Sequence, residues 1–227
     1  MLEFQTYNNF IIGNDDVIDQ IRENPVIEPK AKMLRTGAGI VPIDWKIRYR
    51  GGYDRENAAL ALRTAELFKI PLETSKEVLE SWKGLKGRLE LVKKVGGVEF
   101  YNDTAACSPV ATLAALRSIS VNKNVVLIFG GAMTGDSYTE LIENIPQYAK
   151  TVILLPGSGT MGVRRSVSTI AGVSVHFAHA IEDAVVFARD KAGKGDRVLF
   201  SPGFEACGVE KSWMERGDKF VKAVRGL

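Results

Sequence analysis

The chain has 227 residues, 45% of them hydrophobic and 25% charged, a globular rather than a disordered balance. Its 30 Lys and Arg against 27 Asp and Glu leave a net charge of +3, and the interspersed signs argue against a nucleic-acid or acidic-membrane partner. Two cysteines, Cys107 and Cys207, form no CxxC pair, which excludes a disulfide scaffold or zinc ribbon; with no apolar run of about 18 residues and no signal-peptide pattern, a cytoplasmic protein is expected.

Taken in chain order, Phe10 to Gly13 reads as a strand end and Asp15 to Arg22 as a short helix with an acidic first turn. Lys30 to Arg50 predicts two or three short antiparallel strands broken at Gly37 and Gly39. Two helices follow, Arg55 to Phe68 and Ser75 to Trp82, with Lys69-Ile70-Pro71 between them. Ser75 is the expected cap of the second, and Ala58, Leu62, Ala65 and Leu67 form the core stripe of the first. This opening segment has little core of its own and reads as the tail of a domain.

From about residue 87 the pattern becomes regular. Leu89 to Val92 and Val98 to Tyr101 predict two strands joined by a tight turn at Gly96-Gly97. Pro109 opens a helix through Arg117. Val125 to Phe129 (VVLIF) is the apolar, β-branched run of a strand buried on both faces. It exits through Gly130-Gly131 into a helix over Tyr138 to Ile145. Thr151 to Leu155, Val173 to Phe177 and Arg197 to Ser201 are the next strands, with helices over Ile181 to Ala192 and Ser212 to Val224. Strands alternating with helices predict an α/β fold, a Rossmann-like, doubly wound and mostly parallel sheet.

Gly157-Ser158-Gly159-Thr160-Met161-Gly162 matches GxGxxG directly after a strand, with Glu182 near the position of an acidic ribose ligand. This keeps open a nicotinamide-dependent oxidoreductase with pyrophosphate on a helix N-terminus. Against it, the glycines follow a middle strand, and Val163 to Thr169, with Arg164-Arg165 and two serines, makes a poor packed helix. Gly130 to Asp136 is a second glycine-rich exit of the kind that lines a ligand crevice. No GxxxxGK[ST] loop occurs. His176 and His179, three apart on a strand, point to different faces and argue against a shared metal. Neither cysteine has a base beside it.

The most specific signal is an ordered series: Arg55-Glu56-Asn57-Ala58-Ala59-Leu60-Ala61, Gly84-Leu85-Lys86-Gly87-Arg88-Leu89-Glu90, Tyr101-Asn102-Asp103-Thr104 with Ser108-Pro109, Gly130-Gly131, Ser201-Pro202-Gly203, and Glu215-Arg216-Gly217-Asp218-Lys219-Phe220. In this order and spacing the chain resembles the Mur ligase family, from about Asn14 onward, and within it the members that add D-glutamate to UDP-N-acetylmuramoyl-L-alanine.

The resemblance implies residues 1–84 as the end of a central ATPase domain and 85–227 as a complete C-terminal domain. The UDP-binding domain, P-loop and carbamylated-lysine region have no counterpart, so a truncated, inactive piece of a monomeric peptidoglycan-precursor ligase is expected. It also implies ATP, with Mg2+ bound mainly by the missing part. Asn57 matches an adenine contact, Arg88 the arginine that reaches the ATP phosphates, and Asp103 a ribose ligand. The amino-acid pocket departs from the family pattern. Cys107 stands for a threonine, Ala105 for a frequent lysine, Thr134 for a carboxylate-pairing lysine, Ala206 for a serine and Trp213 for a phenylalanine. Arg164, Arg165 or Lys211 are candidate replacements for the missing charge. A non-catalytic module that kept the fold and lost the pocket is the further alternative.

Overall fold

The computed structural model describes residues 5–26, 28–47, 52–208 and 210–227. The first four residues and positions 48–50 of the predicted meander lie outside them. Two compact units divide the chain, Met1–Lys83 and Gly84–Leu227.

In the first unit, β1 (Phe10–Gly13) leads into α1 (Asp15–Glu23), whose N-cap Asn14 accepts a hydrogen bond from the Val17 N–H at 3.0 Å. β2 (Lys32–Arg35) then pairs parallel to β1, with Phe10 opposite Lys32. Among the described residues, the predicted antiparallel meander is therefore corrected to one strand and a 3-10 turn over Ala38–Ile40. The crossover through α1 is long enough to permit the parallel pairing, which a short turn would not.

Helices α2 (Gly52–Leu67) and α3 (Leu72–Ser81) follow. Ser75 is not the cap of α3. Pro71 holds that position, and Ser75 lies buried one turn inside, its hydroxyl donating back to the Pro71 carbonyl at 3.4 Å. The fixed φ of proline starts the helix earlier than the serine pattern suggests. Val41, Trp45, Ala58, Ala59 and Leu62 form one small core, and Ile11, Ile18 and Ala31 another.

The second unit begins with a hairpin of β3 (Glu90–Val95) and β4 (Val98–Asn102). Gly96 and Gly97 turn it with φ of 57° and 86°, the double positive φ that a two-residue turn requires. Then come α4 (Pro109–Ile119), β5 (Val125–Phe129), α5 (Thr139–Tyr148), β6 (Ala149–Leu154), α6 (Ser158–Ser168), β7 (Ser174–Phe177), α7 (Ile181–Lys191), β8 (Arg197–Phe200) and α8 (Trp213–Arg225). The sheet order is β3-β4-β8-β5-β6-β7, with only β3 antiparallel to its neighbour. The doubly wound sheet expected from the alternation is present.

Alternate residues of β5 supply two cores. Val125, Leu127 and Phe129 pack with α4, α5 and α6; Val126 and Ile128 pack with α7 and α8. The stretch expected to be a poor helix is α6. Val167 is buried, while Arg164 and Arg165 face solvent, with the Arg164 guanidinium 4.1 Å from the Phe177 ring centroid. On β7 the Nε2 of His176 is buried without a partner, and burial lowers its pKa; His179 is exposed. Among the described residues no helix is long and apolar enough to cross a membrane.

This winding positions the site. β8 lies between β4 and β5, whose chains depart to α4 and α5 on one face, while β8 continues to α8 on the other. A crevice opens where neighbouring strands send their connections to opposite faces.

Candidate functional site

Three strand exits meet at that crevice: Asp103-Thr104 after β4, Ser201 to Phe204 after β8, and Gly130-Gly131 after β5. Asp103 is 5% exposed. One carboxylate oxygen accepts from the Ser201 hydroxyl at 2.8 Å, the other from the Leu89 N–H at 3.1 Å. Thr112 of α4 closes the cluster, 3.1 Å from the Ser201 hydroxyl. Burial raises the Asp103 pKa from 3.8 to about 6, against the pull of Ser201, the Leu89 amide and the Arg88 charge.

Arg88 precedes that amide. Its neighbours are fixed: the Gly87 N–H donates to Glu90 Oε2 at 3.0 Å, and the Gly87 carbonyl accepts from the Ala105 N–H at 3.0 Å. Asn102 Nδ2 holds the same Glu90 oxygen at 3.0 Å. The Arg88 side chain itself is exposed and enters no ion pair among the described residues. An exposed guanidinium on an anchored backbone is suited to a phosphoryl group.

At the β5 exit, the Gly131 carbonyl accepts the N–H groups of Gly159 and Thr160, at 3.1 and 3.3 Å. A Cβ on Gly157 would stand 2.0 Å from that carbonyl oxygen, and one on Gly159 2.5 Å from the Phe204 ring. These glycines thus let α6 pack onto the β5 and β8 exits. The first-turn amides that a pyrophosphate would need are already bonded, and Glu182 is exposed on the separate helix α7. The GxGxxG pattern has a packing explanation, and the oxidoreductase reading loses its anion site.

The four residues expected around the amino acid divide into two places. Cys107 is half-buried, its thiol 3.7 Å from the Thr104 carbonyl. The Thr134 hydroxyl donates to Asp136 Oδ2 at 2.7 Å and lies 3.1 Å from the Tyr138 hydroxyl, which donates to the Gly203 carbonyl at 2.8 Å. Half-buried Ala206 follows Glu205, whose carbonyl accepts the Ala132 N–H at 3.0 Å. These three belong to the β4, β5 and β8 exits. Trp213 instead opens α8 and lines a cavity of about 450 Å3 with Gly87, Glu90, Thr104 and Gly217, a cavity that Cys107, Thr134 and Ala206 do not line. Of the candidate replacement charges, Arg164, Arg165 and Lys211 are all exposed, and the Arg164 guanidinium lies 4.1 Å from the Phe177 ring centroid.

Arg216 is a member of the site that sequence reading quoted only as part of a motif. It is 3% exposed. Its guanidinium donates to the carbonyls of Phe204 (2.9 Å), Glu205 (3.1 Å) and Thr104 (3.5 Å), and lies 3.8 Å from the Cys107 sulfur. Its Nε is buried without a partner, and desolvation lowers its pKa. The available signal was its register: Arg216, Phe220 and Val224 share one helical face, so a cation occupies a core position.

In the first unit, Asn57 is exposed on α2. The residue before it, Glu56, lines a cleft of about 300 Å3 with Gly13, Asn14, Thr36 and Gly37, at the carboxyl ends of β1 and β2.

Residues 87–204, just over half of the chain, match the family model for the Mur ligase, glutamate ligase domain. The chain belongs to the Mur ligase family. It is 36% identical over 177 residues to the UDP-N-acetylmuramoylalanine–D-glutamate ligase of Streptococcus thermophilus, covering 78% of this chain and 38% of that one. The same-named ligase of Bdellovibrio bacteriovorus is 34% identical over 193 residues, covering 85% and 41%. The chain thus spans about two fifths of the length of the curated relatives it matches. Among solved structures, a murein peptide ligase from Psychrobacter arcticus superposes with a TM-score of 0.63 at 14% identity, covering 100% of this chain and 53% of that one. The MurF ligase from Thermotoga maritima in complex with ADP gives 0.63 at 17%, covering 99% and 56%. At these identities the Mur ligase structures establish the shared α/β fold.

Proposed function

We propose that the protein carrying this chain is an ATP-dependent ligase that adds D-glutamate to UDP-N-acetylmuramoyl-L-alanine in peptidoglycan precursor synthesis, working in the cytoplasm as a monomer. The observation that carries this reading is the 34–36% identity to D-glutamate ligases over most of the chain. In this reading a carboxylate oxygen of the substrate attacks the γ-phosphorus of ATP, forming the acyl phosphate and releasing ADP. The amine of the amino acid then attacks the acyl phosphate, a C–N bond forms, the C–O bond to phosphate breaks, and an amide and inorganic phosphate result.

Residues 1–84 are then the end of the central ATPase domain, and 85–227 the C-terminal domain. Asn57 faces the adenine, and Arg88 offers its free fork to the transferring phosphoryl group, where charge stabilisation matters most. Asp103 stands at the ribose side. Cys107, Thr134 and Ala206, at the β4, β5 and β8 exits, face the amino acid with the Arg216 guanidinium beside Cys107, while Trp213 lines the separate cavity at the start of α8. Among the described residues no group of three or more His, Cys, Asp or Glu could hold a metal ion, so Mg2+ is assigned no ligand on this chain and no step here runs through it.

The test is product formation by the complete protein with ATP, UDP-N-acetylmuramoyl-L-alanine and either D- or L-glutamate, read by mass spectrometry. Product with D-glutamate alone is expected. Product only with another amino acid would reassign the substrate, and no product with any amino acid would leave a binding module.

A further inference from the structure

Arg216 carries a positive charge into the interior without a counter-charge. At 3% exposure its guanidinium donates to the carbonyls of Thr104, Phe204 and Glu205, and to no carboxylate among the described residues. The acid that acts on it through space, Glu210, is itself engaged by Lys219. Carbonyl dipoles satisfy the N–H groups but leave the net charge in place, and an arginine stays protonated near neutral pH. The charge also stands where the three strand exits converge. Its carbonyl partners belong to the β4 and β8 exits, and a Cβ added to Gly131 of the β5 exit would stand 3.2 Å from Nη1. Nη2 lies 3.8 Å from the sulfur of half-buried Cys107. Ala206 directly follows Glu205, whose carbonyl Nη1 holds. Cys107, Thr134 and Ala206 bring no cation of their own, so the charge placed among these exits is that of Arg216.

We propose that Arg216 is a specificity-determining residue that selects an anionic side chain in the incoming amino acid, its charge reaching the site across Cys107 rather than by direct contact. The proposal rests on the reading of the β4, β5 and β8 exits as the amino-acid site. A charge held away from water is weakly screened and acts over several ångströms. An amino acid with a side-chain carboxylate gains from that field twice, once for each carboxylate. Its amide counterpart, of the same shape, gains once. The bonds to the carbonyls fix where the charge stands, so holding the loops and selecting the substrate are two effects of one placement.

Two measurements test this. In the complete protein, D-glutamate and D-glutamine compete for the same acceptor, and mass spectrometry of the products reads their ratio. Arg216→Gln keeps amide donors for the carbonyls but removes the charge, and the preference for D-glutamate should fall about tenfold or more. Arg216→Lys keeps the charge with fewer donors and should retain most of the preference, whatever either substitution costs in stability. A purely structural role would slow both amino acids together, so an unchanged ratio in Arg216→Gln would overturn the proposal. The second measurement needs neither turnover nor a variant. Cys107 of the 227-residue chain is alkylated with iodoacetate, an anion, and with iodoacetamide, its neutral counterpart. The thiolate fraction cancels from the ratio of the two rates, which then reports the local field. That ratio should be about fivefold higher in the folded chain than in urea. A folded ratio no higher than the unfolded one would overturn the proposal. Absence of product with every amino acid would overturn the ligase reading instead, and the alkylation ratio would then decide by itself whether the charge reaches Cys107.

Discussion

Arg88 and Arg216 sit at the same end of the sheet, and neither enters an ion pair among the described residues, yet they are held in opposite ways. Around Arg88 the backbone is fixed and the side chain is free: Gly87 and Leu89 are bonded on either side, while the guanidinium is exposed. Around Arg216 the guanidinium is fixed and does the fixing, drawing carbonyls of the β4 and β8 exits onto itself at 3% exposure. A cation aimed at a ligand needs a rigid base and an open tip. A cation that organises loops needs a buried tip, and desolvation makes it costly to keep there.

That contrast breaks cleanly under substitution. Arg88→Ala should lower ATP-dependent turnover of the complete protein by about 10³-fold, in the range of lost transition-state cations, while the thermal midpoint of the chain stays unchanged. Arg216→Met should do the reverse first. Leaving buried carbonyls without donors should destabilise the fold by about 3 kcal/mol, visible as a lower urea midpoint of the second unit. If Arg216→Met unfolds no more readily than wild type, its scaffold role is wrong.

A smaller effect concerns Asp103. The folded pKa of Asp103, about 6, lies above its ordinary value of 3.8. Its protonation therefore favours the folded state: that contribution is complete below the unfolded pKa and is lost as pH rises through the folded one. Wild type should lose about 2 kcal/mol of stability relative to Asp103→Asn between about pH 4 and pH 7, measured by denaturant titration at each pH. Parallel curves for the two proteins would contradict the shift. The smallest expected change is at Thr134. Thr134→Val removes one hydroxyl from a partly exposed chain to Asp136 and Tyr138, and should cost under about 1 kcal/mol. A larger loss would show that the Tyr138–Gly203 bond depends on it.

The sheet was legible because its signals are local. VVLIF, the Gly96-Gly97 hairpin and the strand–helix alternation are each contained within a few residues, and each appears in the structure. The first unit was harder, because a four-residue strand such as β2 carries too little pattern to reveal its direction. Its parallel pairing comes from the crossover through α1. The GxGxxG run was legible as a pattern and misleading as a mechanism, since Gly131 consumes the amides that the motif would otherwise offer. The site's decisive bonds span long separations: Leu89 to Asp103, Asp103 to Ser201, Arg216 to Thr104. Family resemblance pointed to Arg88 and Asp103 by position. That Asp103 is closed off by protein partners, and that Trp213 turns to a different cavity from Cys107, Thr134 and Ala206, are consequences of packing that no short window of sequence contains.

Under the proposed function, this chain supplies the amino-acid and phosphate-facing side of an ATP-dependent ligase. The most direct measurement is inorganic phosphate release by the complete protein with ATP and UDP-N-acetylmuramoyl-L-alanine, with and without D-glutamate. Release should depend on D-glutamate and be matched one for one by amide product. Release at the same rate without any amino acid, or none under either condition, would contradict it.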